Sequence, residues 1–304
     1  MQHKFEVRND AFHTIIDQNV ELDIVADGFV FTEGPIWHPE EHWLIFSDII
    51  TSTQYRWSEE AGVEVFRKPS NMANGNYFDA EGRIISCEHA SSRVVRHDYE
   101  GKLVKTLASH FDGKELNSPN DIVCDQKGRI WFTDPSFGRI RDDVGMPRDT
   151  ELDFQGVYRL DPDGELHLVA DRFKQPNGLC LSLDESKLYV NDSADPSIRV
   201  FDIDADGGLS NGKLWARVEG EQEGRKWVPD GMKIASCGHL FCNGPNGVHL
   251  FDRDANCLGV INFPEKSTNF CFGGADRDWL YITASSRLYR IKTKTHGEAM
   301  IPGR

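Results

Sequence analysis

The chain has 304 residues, of which 39% are hydrophobic and 11% aromatic, enough apolar material to bury a large core and too much for a disordered chain. Its formal net charge is −15, from 49 acidic and 34 basic residues, which argues against nucleic acid or a membrane surface as partner. An anionic small molecule is not excluded, because a bound cation can reverse the field locally.

In chain order, the stretch Met1 to Asp10 has no apolar signal core, and nothing after it is long enough to span a bilayer. Helical periodicity is confined to about Asp10–Ile16. The segment ELDIVADGF (21–29) reads as a strand and resembles LHLVADRF (166–173). The seven cysteines are an odd number, and Cys87, Cys124, Cys180, Cys242 and Cys271 sit inside apolar strand-like runs. They read as small buried hydrophobes in a reducing compartment, so the expected location is cytoplasmic. Cys237 and Cys242 have no second Cys/His pair at ligand spacing, which argues against a zinc cluster.

Six apolar runs recur: WLIFSD (43–48), RIISCEH (83–89), RIWFTD (129–134), KLYVND (187–192), HLFCNG (239–244) and WLYITA (279–284). Their starts lie 40, 46, 58, 52 and 40 residues apart, close to the length of a propeller blade. Each is followed by a second strand-like segment, and in five cases by a third, rich in β-branched and aromatic residues and bounded by Gly, Asp or Asn turns. The last repeat lacks its third segment. The pattern predicts an all-β, six-bladed β-propeller with four-stranded blades, the N-terminal strand at 21–29 completing the last one. The expected organisation is one domain over 1–304, with an arm at 1–19 and a tail at 293–304. Trp37, Trp131 and Trp215 are expected to pack between blades.

Nine or ten residues before each run, where the innermost strand should lie, stand Glu33, Asn74, Asn120, Asn177, Asp230 and Asn269. Innermost strands converge on a propeller's axis, so these six predict one ring of side-chain oxygens. Glycine follows four of them, and Asn-Gly or Asp-Gly is also a turn signal, but turns do not account for Glu33. Oxygen donors without His or Cys suit one hard divalent cation, Ca²⁺ foremost, with Mg²⁺, Mn²⁺, Zn²⁺ or Fe²⁺ as alternatives. Without it, Glu33 and Asp230 would be a buried pair of like charges.

Blade topology places His89, Asp134 and Asp192 near the mouth of this ring, with Asn76 able to reach substrate from the second blade. Asp134 reads equally as a turn cap or as support for the site. The longest insertion, Pro135 to Phe154, opens on the same face; Arg139, Arg141 and Arg148 make it either a binding loop or a solvated one. The charged stretch EGEQEGRKW (219–227) reads as a solvated loop leading to Asp230. There is no G-x-S-x-G elbow, HExxH motif or P-loop.

FTEGPIWHP, ANGNYFDAEGRIISCEH, LNSPNDIVCDQKGRIWFTDPSFG, QPNGLCLSLDESKLYVNDS and VPDGMKI resemble the regucalcin/gluconolactonase/luciferin-regenerating enzyme family, in register from about residue 20 to 292. NSPND and FTDP bring the chain nearest the bacterial sugar-lactonase branch. The resemblance implies a six-bladed propeller with a central divalent metal that hydrolyses an aldonolactone. It implies Glu33, Asn177 and Asp230 as metal ligands, Asp230 also as acid/base, and Asn120 as a contact to substrate or metal. Asn76 and His89 join Asn120 as substrate-contact candidates. Regucalcin-type members carry an Arg two residues before the equivalent of Asn120; here Ser118 stands there, so animal-type substrate preference does not transfer. Alternatives are a phosphotriesterase or aryl esterase of diisopropyl fluorophosphatase type, or a non-catalytic calcium-binding propeller.

Overall fold

The computed structural model describes residues 4–220, 227–298 and 301. Six antiparallel sheets follow one another along the chain and form the blades of a propeller. Their innermost strands are Thr32–His38, Ala73–Phe78, Ile122–Cys124, Pro176–Leu181, Met232–Ile234 and Ser267–Gly273. Each is followed by a strand built from one of the six recurring apolar runs, such as Trp43–Asp48 in blade one and Lys187–Asp192 in blade four. The strand expected from residues 21–29 forms as Leu22–Asp27 and pairs antiparallel with Arg287–Lys292, Leu22 opposite Ile291 and Asp27 opposite Arg287. It is the outer strand of blade six, so the two ends of the repeat close the ring and pin each other.

Burial falls from the axis outwards. Every residue of Thr32–His38 and of Ser267–Gly273 is buried, because an innermost strand has a neighbouring blade on each side. The outer strands Gly62–Arg67 and Leu103–Ala108 are largely exposed. This is why the inner segments do not alternate apolar with polar, and why their polar residues had to find partners inside the protein. Trp37 stacks on Tyr281 at 5.2 Å between blades one and six. Trp215 meets both Tyr189 and Phe251, and Trp131 packs with Leu179 and Leu188 of the next blade, so all three tryptophans lie between blades.

The turns between first and second strands reuse one device. Asp79 Oδ1 accepts from the Glu81 and Arg83 amides, and Asp125 Oδ1 from those of Lys127 and Arg129. Asp125 Oδ2 also takes Arg129 Nε and Trp131 Nε1, which ties the turn to the core.

The N-terminal segment has structure of its own. Phe5–Val7 pairs with Gly259–Ile261 and gives blade five a fifth strand. The expected helical stretch is a 3-10 helix, Asp10–Thr14, capped by the Asn9 side chain on the Ala11 amide. It sends Phe12, fully buried with Ile16, into the core between blades five and six. At the other end Gly297 bridges to Ala235, and Ile301 is buried beside blade one. All seven cysteines are free; five are buried and Cys237 and Cys257 half-buried. No helix among the described residues is long and apolar enough to cross a membrane. Most of the loop 219–227 lies outside the described residues.

Asp125→Ala would leave the mostly buried Arg129 without its carboxylate. We expect it to destabilise the fold by about 3–5 kcal/mol, read from the urea midpoint; a loss below about 1 kcal/mol would show that solvent screens the pair.

Candidate active site

The oxygen-bearing residues stand where the innermost strands break their ladders. Register shifts fall between Glu33 and Ile36, between Ala73 and Asn76, and between Pro176 and Leu179, bracketing Asn74 and Asn177. Asn120 and Asp230 lie just before the paired parts of their strands. A bulge re-aims a side chain that a regular strand would point into a neighbouring blade. The glycines that follow are not turn residues. A Cβ on Gly34, whose φ is +50°, would sit 2.1 Å from the Asn74 carbonyl oxygen, and one on Gly178 would sit 2.2 Å from that of Asp230. Only glycine lets adjacent inner strands approach this closely. Second strands then latch the next blade's carbonyl: Ser47 Oγ donates to Asn74 O (2.8 Å), Thr133 Oγ1 to Asn177 O (2.8 Å) and Asn191 Nδ2 to Asp230 O (2.6 Å).

Five of the six ring residues, Glu33, Asn74, Asn120, Asn177 and Asp230, line one axial cavity of about 60 Å³. His89, Arg141 and Lys266 complete its polar wall, and Phe31, Ile49, Phe137, Val144 and Val228 its apolar one. The sixth, Asn269, is not on this wall. Its Oδ1 accepts from the Phe270 amide at 2.9 Å and from Lys233 Nζ at 3.4 Å, because it packs against Gly231 between blades five and six. Blade six contributes Lys266 instead, a residue that the repeat phase could not find because it precedes the strand.

The electrostatics are those of crowded anions. Burial, then the nearby Asp230 and Asp121 carboxylates, push the Glu33 carboxyl well above the usual range; the Gly34 amide and Lys266 only partly offset this. Glu33 Oε2 accepts from that amide at 2.8 Å. Asp230 Oδ2 receives Lys266 Nζ at 3.1 Å. Asp121, raised chiefly by burial, has Lys233 Nζ at 3.8 Å.

The carboxamides are oriented. His89 Nδ1 faces the Val144 carbonyl oxygen at 2.8 Å and must carry the proton. Burial lowers the His89 pKa to about 4, so Nε2 holds a lone pair. Asn74 Nδ2 (3.2 Å) and Asn120 Nδ2 (3.4 Å) donate to it, and Asn177 Nδ2 donates to Ser193 Oγ at 3.1 Å. Each amide nitrogen is thus committed to protein, which leaves the amide oxygens as the outward donors. Two carboxylates and three such oxygens, with no thiolate, fit a hard divalent cation. No group of three His, Cys, Asp or Glu side chains among the described residues offers a competing site.

Other expected residues sit elsewhere. Asn76 is buried but does not line the cavity. Its Nδ2 donates to Gly34 O at 2.7 Å, and its Oδ1 accepts from Gln54 Nε2 and Ser86 Oγ, so it braces blade one against blade two. Asp134 accepts the Asn117 amide at 2.8 Å, is pushed up to about 7 by burial, and holds the loop before Asn120. Asp192 does the same for the Lys174 and Gln175 amides. The insertion covers the cavity through Phe137, Arg141 and Val144. Arg139 is spent on the Asn117 and Leu116 carbonyls, and Arg148 on Ser92 and Glu115. Ser118 Oγ donates to Pro135 O and accepts from the Gly138 amide at 2.9 Å, so it anchors the insertion rather than facing the cavity.

The imidazole of His89 should titrate at about 4 when followed by NMR; a transition near the ordinary value of about 6.5 would show that the ring is not desolvated as its burial implies.

Comparison with known proteins adds to this geometry. The family model described as the SMP-30/Gluconolactonase/LRE-like region matches residues 31–286. A gluconolactonase of Zymomonas mobilis is 34% identical, the match covering 97% of this chain and 86% of that protein. A pentonolactonase of Haloferax volcanii is 27% identical over 83% of this chain and 81% of its own. A solved gluconolactonase structure from Xanthomonas campestris superposes with a TM-score of 0.86 at 33% identity, covering 95% of this chain and 94% of that one. A blade count, a closure and an axial oxygen cluster read from the residues meet here with a match spanning nearly all the blades, and the chain belongs to the SMP-30/gluconolactonase/LRE-like family.

Proposed function

We propose that this protein hydrolyses a sugar lactone, an aldonolactone of the gluconolactone type, to the open-chain sugar acid. The observation that carries the reading is the buried Glu33–Asp230 pair on the axis, among oriented carboxamide oxygens. It occurs in a chain similar over 97% of its length to a gluconolactonase. Glu33, Asn177 and Asp230 would hold one divalent cation, Ca²⁺ foremost, with Asn120 as a further oxygen toward cation or substrate. Such a cation, when bound, supplies Lewis-acid polarisation of a carbonyl.

The chain's own groups do the rest. The lactone enters the cavity with its ring against Phe31, Ile49 and Phe137. Asn120 and Asn74 offer carboxamides to its hydroxyls, and His89, neutral, orients both. Asp230 takes a proton as the oxygen of a water bonds to the carbonyl carbon. The bond from that carbon to the ring oxygen then breaks, and the ring oxygen leaves as a hydroxyl with the proton Asp230 held. The insertion narrows access to bulk water. Seven unpaired cysteines support a reducing, cytoplasmic setting.

A panel of aldonolactones assayed with and without chelator tests the reading. Hydrolysis should vanish on chelation and return with added Ca²⁺ or Mg²⁺; metal-independent turnover, or none on any sugar lactone but turnover of phosphotriesters, would overturn it. Asp230→Asn should lower kcat by about 10²–10⁴-fold, and near-normal kcat would remove Asp230 from the proton transfers. Because Glu33 is raised well above the usual carboxyl range, cation binding displaces its proton. Calorimetry in buffers of different ionisation enthalpy should therefore show proton release and an affinity that weakens as pH falls; Glu33→Gln should abolish the proton release.

A further inference from the structure

Two cations line the axial cavity, Arg141 and Lys266, and they differ in how they are used. Arg141 is committed within the insertion, Nε to Asp143 Oδ1 at 2.9 Å and Nη2 to Asp143 Oδ2. Lys266 gives one N–H to Asp230 Oδ2 at 3.1 Å, and its Nζ stands 5.3 Å from the centroid of the Phe31 ring. An ammonium has three donors, and a ring face attracts its charge without consuming one in a conventional hydrogen bond. The side chain is 24% exposed, which at the cavity wall means within reach of a small molecule.

The position is built. Ser285 Oγ donates to the Lys266 carbonyl oxygen at 3.2 Å. The preceding Glu265 is fastened by the Ser286 amide (2.9 Å), Tyr289 Oη (2.8 Å) and Arg287 Nη1 (3.1 Å). These contacts fix the backbone from which the side chain extends, and the Asp230 carboxylate and the Phe31 ring place the ammonium at the cavity wall, where an electrostatic donor is most effective.

We propose that Lys266 is a further catalytic residue of this site, its ammonium donating to the carbonyl oxygen that gains negative charge during lactone hydrolysis and to the carboxylate of the ring-opened product. The proposal rests on the lactonase reading. As the water oxygen bonds to the carbonyl carbon, the C=O electron pair moves to the carbonyl oxygen and Lys266 hydrogen-bonds to it without transferring its proton. When the C=O bond re-forms, the ring C–O bond breaks, the ring oxygen takes the proton from Asp230, and the new acid loses its own proton to water. Lys266 ends hydrogen-bonded to a carboxylate, so the same contact that lowers the barrier makes the sugar acid a product inhibitor.

The test compares Lys266→Met, close in length but uncharged, with Lys266→Arg. For Lys266→Met, kcat on the aldonolactone should fall about 10²-fold with KM little changed. Calorimetric affinity of the cation-loaded protein for the matching aldonate should fall at least about tenfold, and Lys266→Arg should recover part of it. Divalent-cation affinity should hold or rise, since a like charge has been removed. Weaker cation binding with unchanged aldonate affinity would mean that Lys266 merely positions Asp230, and unchanged kcat and aldonate affinity would mean that it does nothing in the reaction; either overturns the inference. Failure of the wild-type protein to hydrolyse any lactone would overturn the lactonase reading instead.

Discussion

Two carboxylates, Glu33 and Asp230, are buried together at the centre of this protein, and much of the surrounding structure follows from that arrangement. Like charges in a low-dielectric interior repel strongly, and burial penalises each of them separately. The chain does not relieve the conflict by separating them. It gives Asp230 an ammonium and Glu33 a backbone amide, and lines the remaining wall with carboxamides whose nitrogens are already engaged. The result is a cavity rich in oxygen donors, with one ammonium, that of Lys266, hydrogen-bonded at its wall.

Holding such a site requires that six strands from six separate stretches of chain stay at fixed distances. Glycines at 34 and 178 allow the inner strands to come within contact of the next blade's carbonyl, and side chains at 47, 133 and 191 hold that carbonyl in place. Thr268 Oγ1 does the same across the closure, donating to Thr32 O at 2.7 Å. Asn76 belongs to this frame: its carboxamide is saturated by five residues of blades one and two. Precision at the axis therefore comes from polar contacts between blades, while the aromatic layers farther out supply the apolar burial.

The cavity wall is apolar as well as polar. Phe31, Ile49, Phe137, Val144 and Val228 face the same space as the oxygen donors. Such walls exclude water and strengthen every charge interaction inside. The insertion supplies two of these residues, and Ser118 secures it through Pro135 and Gly138.

Much of this was legible in the chain alone. Six apolar runs at blade spacing, a missing last segment and a matching strand at residues 21–29 determine six blades and their closure, because strand period and turn chemistry are local properties. The phase of the repeats also located Glu33, Asn74, Asn120, Asn177 and Asp230 on one wall. What it could not decide was direction. Asn76 and Asn269 have the right chemistry at plausible positions, yet one is consumed by a neighbouring blade and the other turns toward Lys233, and a rotation of one side chain leaves no trace in spacing. Lys266 was invisible for the converse reason: it lies in a loop, out of phase with every repeat, and reaches the axis only because the connection from blade five into blade six carries that loop beside Asp230. The local pattern determined which elements form and which residues approach the axis; tertiary packing decided which of them face the cavity, since that depends on partners supplied by other blades.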